Sequence, residues 1–153
     1  MSNTQALCPA FKVDLMLAKH AFGTTVTRGA TTKDTFNLAL YLASASLGAG
    51  TTVYSTTGEL AGSGNYTQGG VALTNANAPA SSGTTAYWTP SASAQWTSFT
   101  SSGSFDAALL YNATTSGTPA VSVHTFSAQS ITSGTFTLTM PTNDSSNALV
   151  RIA

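Results

Sequence analysis

Beyond Gly23 the apolar residues of this 153-residue chain recur at every second position, and helical spacing does not return. A period of two sends alternate side chains to opposite faces of an extended strand. Residues 35–42 place Phe36, Leu38, Leu40 and Leu42 on one face and Asn37, Ala39 and Tyr41 on the other, the pattern of a half-buried strand. Residues 105–111 alternate Phe105, Ala107, Leu109 and Tyr111. Residues 134–140 alternate Thr with Phe136, Leu138 and Met140, and residues 148–153 put Val150 and Ile152 on one side. Further strands are expected near 71–73, 86–89, 95–99 and 120–126. Glycine-rich turn signals separate them. Many short strands without crossover helices predict an all-β, antiparallel β-sandwich or jelly-roll-like domain. Phe36, Leu38, Leu40, Leu109, Phe136, Leu138 and Val150 are its expected core.

The exception lies at the N-terminus. Residues 1–8 are polar and read as a flexible arm. Residues 9–22 read as one short helix, with Phe11, Leu15, Ala18 and Phe22 on one face, Pro9 in the first turn and Gly23 at the C-cap. Asp14 and Lys19 suit the helix dipole, and His20 reads as a capping or solvent-facing residue. Residues 9–153 then form a single β-rich domain with this helix at its start. Residues 39–48 (ALYLASASLG) and 108–117 (ALLYNATTSG) are alike, which fits shared hairpin composition better than duplication. Residues 74–85 read as a mobile polar loop.

Only 7% of residues are charged, against about a quarter in an average soluble protein, and five acids balance five bases. So small a charge does little for the solubility of a free monomer. It fits a surface covered by neighbours, and equally a neutral, hydroxyl-rich one. Lys12, Lys19, Arg28, Lys33 and Arg151 are too few for a phosphate-binding patch, so no nucleic-acid partner is expected. No apolar stretch has the length of a membrane span, and no basic segment followed by an apolar run opens the chain. The single cysteine, Cys8, permits no internal disulfide and reads as a small buried or capping residue.

Chemistry is hard to find. Asp14, Asp34, Glu59, Asp106 and Asp144 share no local motif, and His20 and His124 stand far apart. No G-x-S-x-G elbow or phosphate-binding glycine pattern occurs. Asn143, Asp144 and Asn147 suit an Asx-turn better than a calcium loop. Trp88, Tyr87 and Tyr66 would make a sugar-stacking platform if exposed together, whereas Trp96 reads as core. The N-x-S/T triplets at Asn65, Asn112 and Asn143 are expected by chance in so Ser/Thr-rich a chain. No catalytic, cofactor-binding or metal-ligating residue is expected, and the chain reads as a non-enzyme.

Four segments together resemble a family of small tailed-bacteriophage virion structural proteins. They are FKVDLMLAKHAFG (residues 11–23), DTFNLALYLASASLGAGTTVYSTTGELAGSGNYTQGGVAL (34–73), FDAALLYNATTSGTPAVSVHTF (105–126) and GTFTLTMPTNDSSNALVRIA (134–153). They cover most of the chain, in the family's order. The resemblance implies a structural role in the virion, assembled in the host cytoplasm, in multiple copies or as a homo-oligomer. Capsid decoration or cement, bound to the major capsid protein or other virion proteins, is the first expectation. A tail, neck or fibre component is the second, and a receptor- or carbohydrate-binding module the third. The family carries no catalytic motif. The chain departs from its pattern by a longer link at residues 24–33 and a longer loop at 74–85.

Overall fold

The structure, a computed structural model, describes residues 2–16, 19–22, 33–74 and 76–153. Ten strands and one helical segment follow in chain order: β1 (Ala6–Leu7), α1 (Pro9–Met16), β2 (Phe36–Leu42), β3 (Val71–Ala72), β4 (Ala80–Ser82), β5 (Thr85–Trp88), β6 (Ala94–Phe99), β7 (Phe105–Asn112), β8 (Ala120–Gln129), β9 (Gly134–Leu138) and β10 (Val150–Ile152). Every strand pairing is antiparallel. The sheets are open: five strands in the order β1-β8-β7-β2-β3, three in the order β10-β5-β4, and the ribbon β6-β9.

The main sheet is buried on both faces at its centre. Leu38, Ala39, Leu40 and Tyr41 of β2, and Ala107 to Leu110 of β7, are all inaccessible to solvent. The expected half-buried alternation in residues 35–42 therefore does not hold. On one face Phe36 stacks on Phe22 at 4.3 Å and meets Trp88 at 5.6 Å, bringing in the three-stranded sheet. At the other end of the main sheet, Phe105 meets Phe136 edge-on at 5.0 Å, bringing in the β6-β9 ribbon. On the opposite face Asn37 donates to Gly69 O and Tyr41 to Ser55 O, so residues 43–70 fold back over it. A strand covered twice loses its polar face, which is why Ala39 and Tyr41 are core residues. Gly70 lies in this covering segment at φ +70°. A Cβ there would stand 1.9 Å from Leu38 O, so only glycine fits.

Three N-terminal and loop expectations change. The helix expected over 9–22 is not seen. Among the described residues helix runs over Pro9–Met16, and Lys19–Phe22 lie outside any helix. Phe22 instead reaches the core as part of an irregular stretch whose Ala21 N–H donates to Asp34. The Gly23 cap, Ala18 and residues 24–32 fall outside the described residues. Residues 2–8 are an edge of the main sheet and not a loose arm. Ala6 and Leu7 pair with Val123 and Ser122, and Cys8 is fully buried. Asn3 anchors the segment, donating to Asp106 Oδ1 at 2.6 Å and accepting from Leu47 N at 2.9 Å. The loop expected at 74–85 contains β4, closed against β5 by a tight turn with Gly83 at φ +59°. Asn77, within the same segment, accepts from Trp88 Nε1 and donates to Thr89 O. In the first two cases, partners distant in sequence satisfied backbone groups that local sequence left open, and in the third a local hairpin did so.

Of the expected core, Phe36, Leu38, Leu40, Leu109 and Val150 are buried, whereas Phe136 and Leu138 are half-buried. Their strand β9 pairs only with β6, so its inner face alone is covered.

Candidate functional site

All five carboxylates are engaged inside the molecule. Asp14 pairs with Lys19 at 2.7 Å, and Asp106 takes the Asn3 amide. Asp34 accepts from Asn112 Nδ2 and Ala21 N, each at 2.8 Å. Asp144 is saturated by Thr142, Ser146 and Asn147. Glu59 is bound by Tyr54, Tyr66 and Gly69. Asp14, Asp34 and Glu59 are buried and the other two are half-buried. No carboxylate therefore belongs to an exposed residue.

Glu59 is the centre of the largest polar cluster. Its Oε2 accepts from Tyr54 at 2.6 Å, and its Oε1 accepts from Tyr66 at 2.8 Å and from Gly69 N at 2.7 Å. Tyr66 also accepts from Leu40 N at 2.9 Å, and Tyr111 donates to Gly69 O at 2.8 Å. Tyr54 and Tyr111 stack at 4.5 Å. Burial raises the phenol pKa of Tyr41, Tyr54, Tyr66 and Tyr111, with the Glu59 charge adding to it. Tyr54 and Tyr66 are donors that hold a buried carboxylate, and Tyr41 and Tyr111 donate to the backbone carbonyls of Ser55 and Gly69. The cluster clamps residues 54–70 onto the sheet. Sequence reasoning missed it because Tyr54, Tyr66 and Gly69 lie 5 to 10 residues from Glu59 with no strand or helix period to join them; the available signal was a lone Glu59 among tyrosines.

A second junction sits at the edge of the aromatic core. Asn112, at the end of β7, directs its Nδ2 to Asp34 Oδ2, to Lys19 O and to His20 Nδ1. His20 is buried against Phe11, Phe22 and Phe36, which corrects its solvent-facing expectation. Because Asn112 is fully buried, it is no acceptor for glycosylation.

Ser122 and His124 offer the nearest approach to a catalytic pair. Ser122 Oγ lies 2.8 Å from His124 Nε2, at the wall of a cleft of about 750 Å³. Both lie on one face of β8, two residues apart, as strand geometry demands. Burial lowers the His124 pKa to about 4, which makes it a weak base at neutral pH. No carboxylate is hydrogen-bonded to His124 among the described residues. The pair satisfies a buried hydroxyl.

The remaining candidates separate. Trp88, Trp96 and Tyr66 are buried, while Tyr87 is half-buried, so Trp88, Tyr87 and Tyr66 form no exposed platform. The Asp144 loop is an Asx-turn: Oδ1 accepts from Ser146 N and Asn147 N, each at 2.8 Å, and the Asn147 side-chain amide, then the Thr142 hydroxyl and these backbone bonds, hold its pKa below the usual range. The described residues contain no group of three or more His, Cys, Asp or Glu that would hold a metal. A second groove, of about 600 Å³, runs between residues 2–4 and 46–57 and is lined mainly by Ser, Thr and Gly. No family model, curated protein or solved structure matches the chain.

Proposed function

We propose that this chain is a non-enzymatic structural component of a tailed-phage virion, foremost a capsid decoration or cement protein that stabilises the assembled shell. Its partners are then the major capsid protein or other virion proteins, with several copies in each particle. The observation that carries this reading is the internal use of all five carboxylates. Among the described residues the surface is rich in Ser, Thr and Asn, and its exposed charged residues are Lys19, Lys33 and Arg151. Such a sparsely charged surface meets partners while stranding few charges in the contact. The accessible area is 7337 Å². A standard interface takes about 800 Å² from each partner, so several fit. We read the packing as a sandwich, the main sheet being one layer and the two small sheets together the other. The Phe36–Trp88 and Phe105–Phe136 contacts support it.

A tail, neck or fibre position is the second reading, since the same sparsely charged surface serves any of these contacts. The carbohydrate-binding reading loses its main support with Trp88 and Tyr66 in the core. The deciding experiment labels the chain in purified particles and compares the heat resistance of particles with and without it. A shell position with lowered resistance on removal is expected, because each bound copy favours the assembled state. Labelling confined to the tail would overturn the capsid placement. Absence from particles would overturn the virion role.

A further inference from the structure

Strand β10 has a cavity against each of its faces. Val150 and Ile152 line an apolar cavity of about 270 Å³ with Phe11, Phe22 and Trp88. Arg151, pointing the other way, lines the cleft of about 750 Å³ that holds Ser122 and His124. The strand pairs through three residues with β5 alone, and no described strand pairs with its outer edge. Ile152 is 37% exposed; among the described residues only Val53 is a more exposed large apolar side chain. Of the three side chains, only Val150 is buried.

We propose that β10 is an exchangeable strand by which copies of this chain join: β10 of one copy occupies β5 of its neighbour. Its place on β5 is defined by the register Val150↔Trp88, Arg151↔Tyr87 and Ile152↔Ala86. A neighbour's strand makes the same ladder and sets the same Val150 against Trp88, so no new complementarity is needed. Cis and trans pairing then differ only in tethering, and a high local density of copies favours trans. Only Val150 of the strand is packed in the core, so its release breaks few side-chain contacts, the property of segments that open locally. The connector between β9 and β10 suits the movement. The side-chain bonds of Asp144 all fall on Thr142, Ser146 and Asn147, so this turn stays intact as it swings, while the bond from Leu149 N to Thr89 Oγ1 re-forms with the neighbour's Thr89. This inference goes beyond the virion reading, which concerns where the chain sits and not how its copies connect.

Ala86 and Ile152 are directly opposed and both exposed, so cysteines there test the exchange. Ala86→Cys and Ile152→Cys chains, distinguishable by tag length, are unfolded, mixed at high concentration, refolded and oxidised. Exchange joins the thiol introduced at position 86 of one chain to the thiol introduced at position 152 of the other, the two thiols losing two hydrogens to the added oxidant. The heterodimer is expected to exceed each homodimer by about tenfold. The double variant Ala86→Cys/Ile152→Cys, refolded dilute, is expected to close within the monomer. A statistical mixture of homodimers and heterodimers, with the double variant closing in cis, would overturn the proposal. A double variant that never closes would overturn the strand placement on which it rests. Neither result bears on whether the chain is found in particles.

Discussion

Tyr66 donates its buried hydroxyl to Glu59 Oε1 across 2.8 Å while accepting from Leu40 N at 2.9 Å. One phenol thus joins a buried carboxylate to the backbone of a central strand. The bond matters because, among the described residues, Glu59 is held by hydrogen-bond donors and no ion pair. Tyr66→Phe removes one donor and leaves Leu40 N–H without its acceptor. A cost of about 2–4 kcal/mol is expected, read as a lower urea midpoint at unchanged slope. A midpoint equal to wild type would mean that the clamp contributes nothing.

The same tyrosines set an alkaline limit. Tyr41 and Tyr66 have phenol pKa values raised above the ordinary 10.0, chiefly by burial. Above that value the unfolded chain releases these protons while the folded chain keeps them. The unfolded state then binds fewer protons, so stability falls as pH rises. Each of the two phenols subtracts up to about 1.4 kcal/mol per pH unit. Denaturation at stepped pH should show full stability below about pH 10 and a steady loss above it. Tyr41→Phe should flatten that loss.

His124 sets an acid limit of opposite sign. Burial lowers its pKa from 6.5 to about 4. Between those values the unfolded chain is protonated and the folded chain is not, so stability falls as pH drops through this window. The loss is of order 3 kcal/mol and is complete near pH 4. Replacing His124 by Gln keeps a polar partner for Ser122 and removes the titration. The fall in urea midpoint between about pH 7 and about pH 4.5 should therefore shrink in the variant; an unchanged fall would place the acid sensitivity elsewhere.

Asn3 ties the N-terminal residues to three parts of the fold through Asp106, Leu42 O and Leu47 N. Replacement by Ala leaves a half-buried carboxylate without that donor, at an expected cost of about 1–3 kcal/mol. Deletion of residues 2–8 also removes β1 and the buried Cys8, and should lower the melting temperature further. A truncated chain as stable as the full one would restore the picture of a dispensable arm.

Leu38 and Leu138 distinguish doubly covered from singly covered strands. Leu38 is fully buried, so Leu38→Ala should cost about 2–5 kcal/mol. Leu138 is half-buried in the β6-β9 ribbon, and its replacement should cost about half as much. Equal losses in parallel chemical denaturations would mean that the ribbon is packed as tightly as the main sheet.

The alternation of Phe36, Leu38 and Leu40 and of Phe136 and Leu138 marked the strands, and glycine-rich segments marked the turns between them. These features are legible in the chain because they depend on neighbours two residues apart. The Asx-turn at Asp144 was legible for the same reason, its partners lying within three residues. Local pattern also explains the errors. Residues 9–22 have helical spacing throughout, but Phe22 and His20 were drawn into an aromatic cluster with Phe36, a contact that spacing does not encode. Long-range packing alone set which strands would be covered on both faces, that residues 2–8 would complete a sheet edge, and that the segment holding Glu59, Tyr54 and Tyr66 would be pinned to Leu40 and Tyr111. Each depends on a buried polar group or a strand edge finding a partner that local periodicity does not show. Such groups are costly to leave unsatisfied, so the fold is organised around satisfying them.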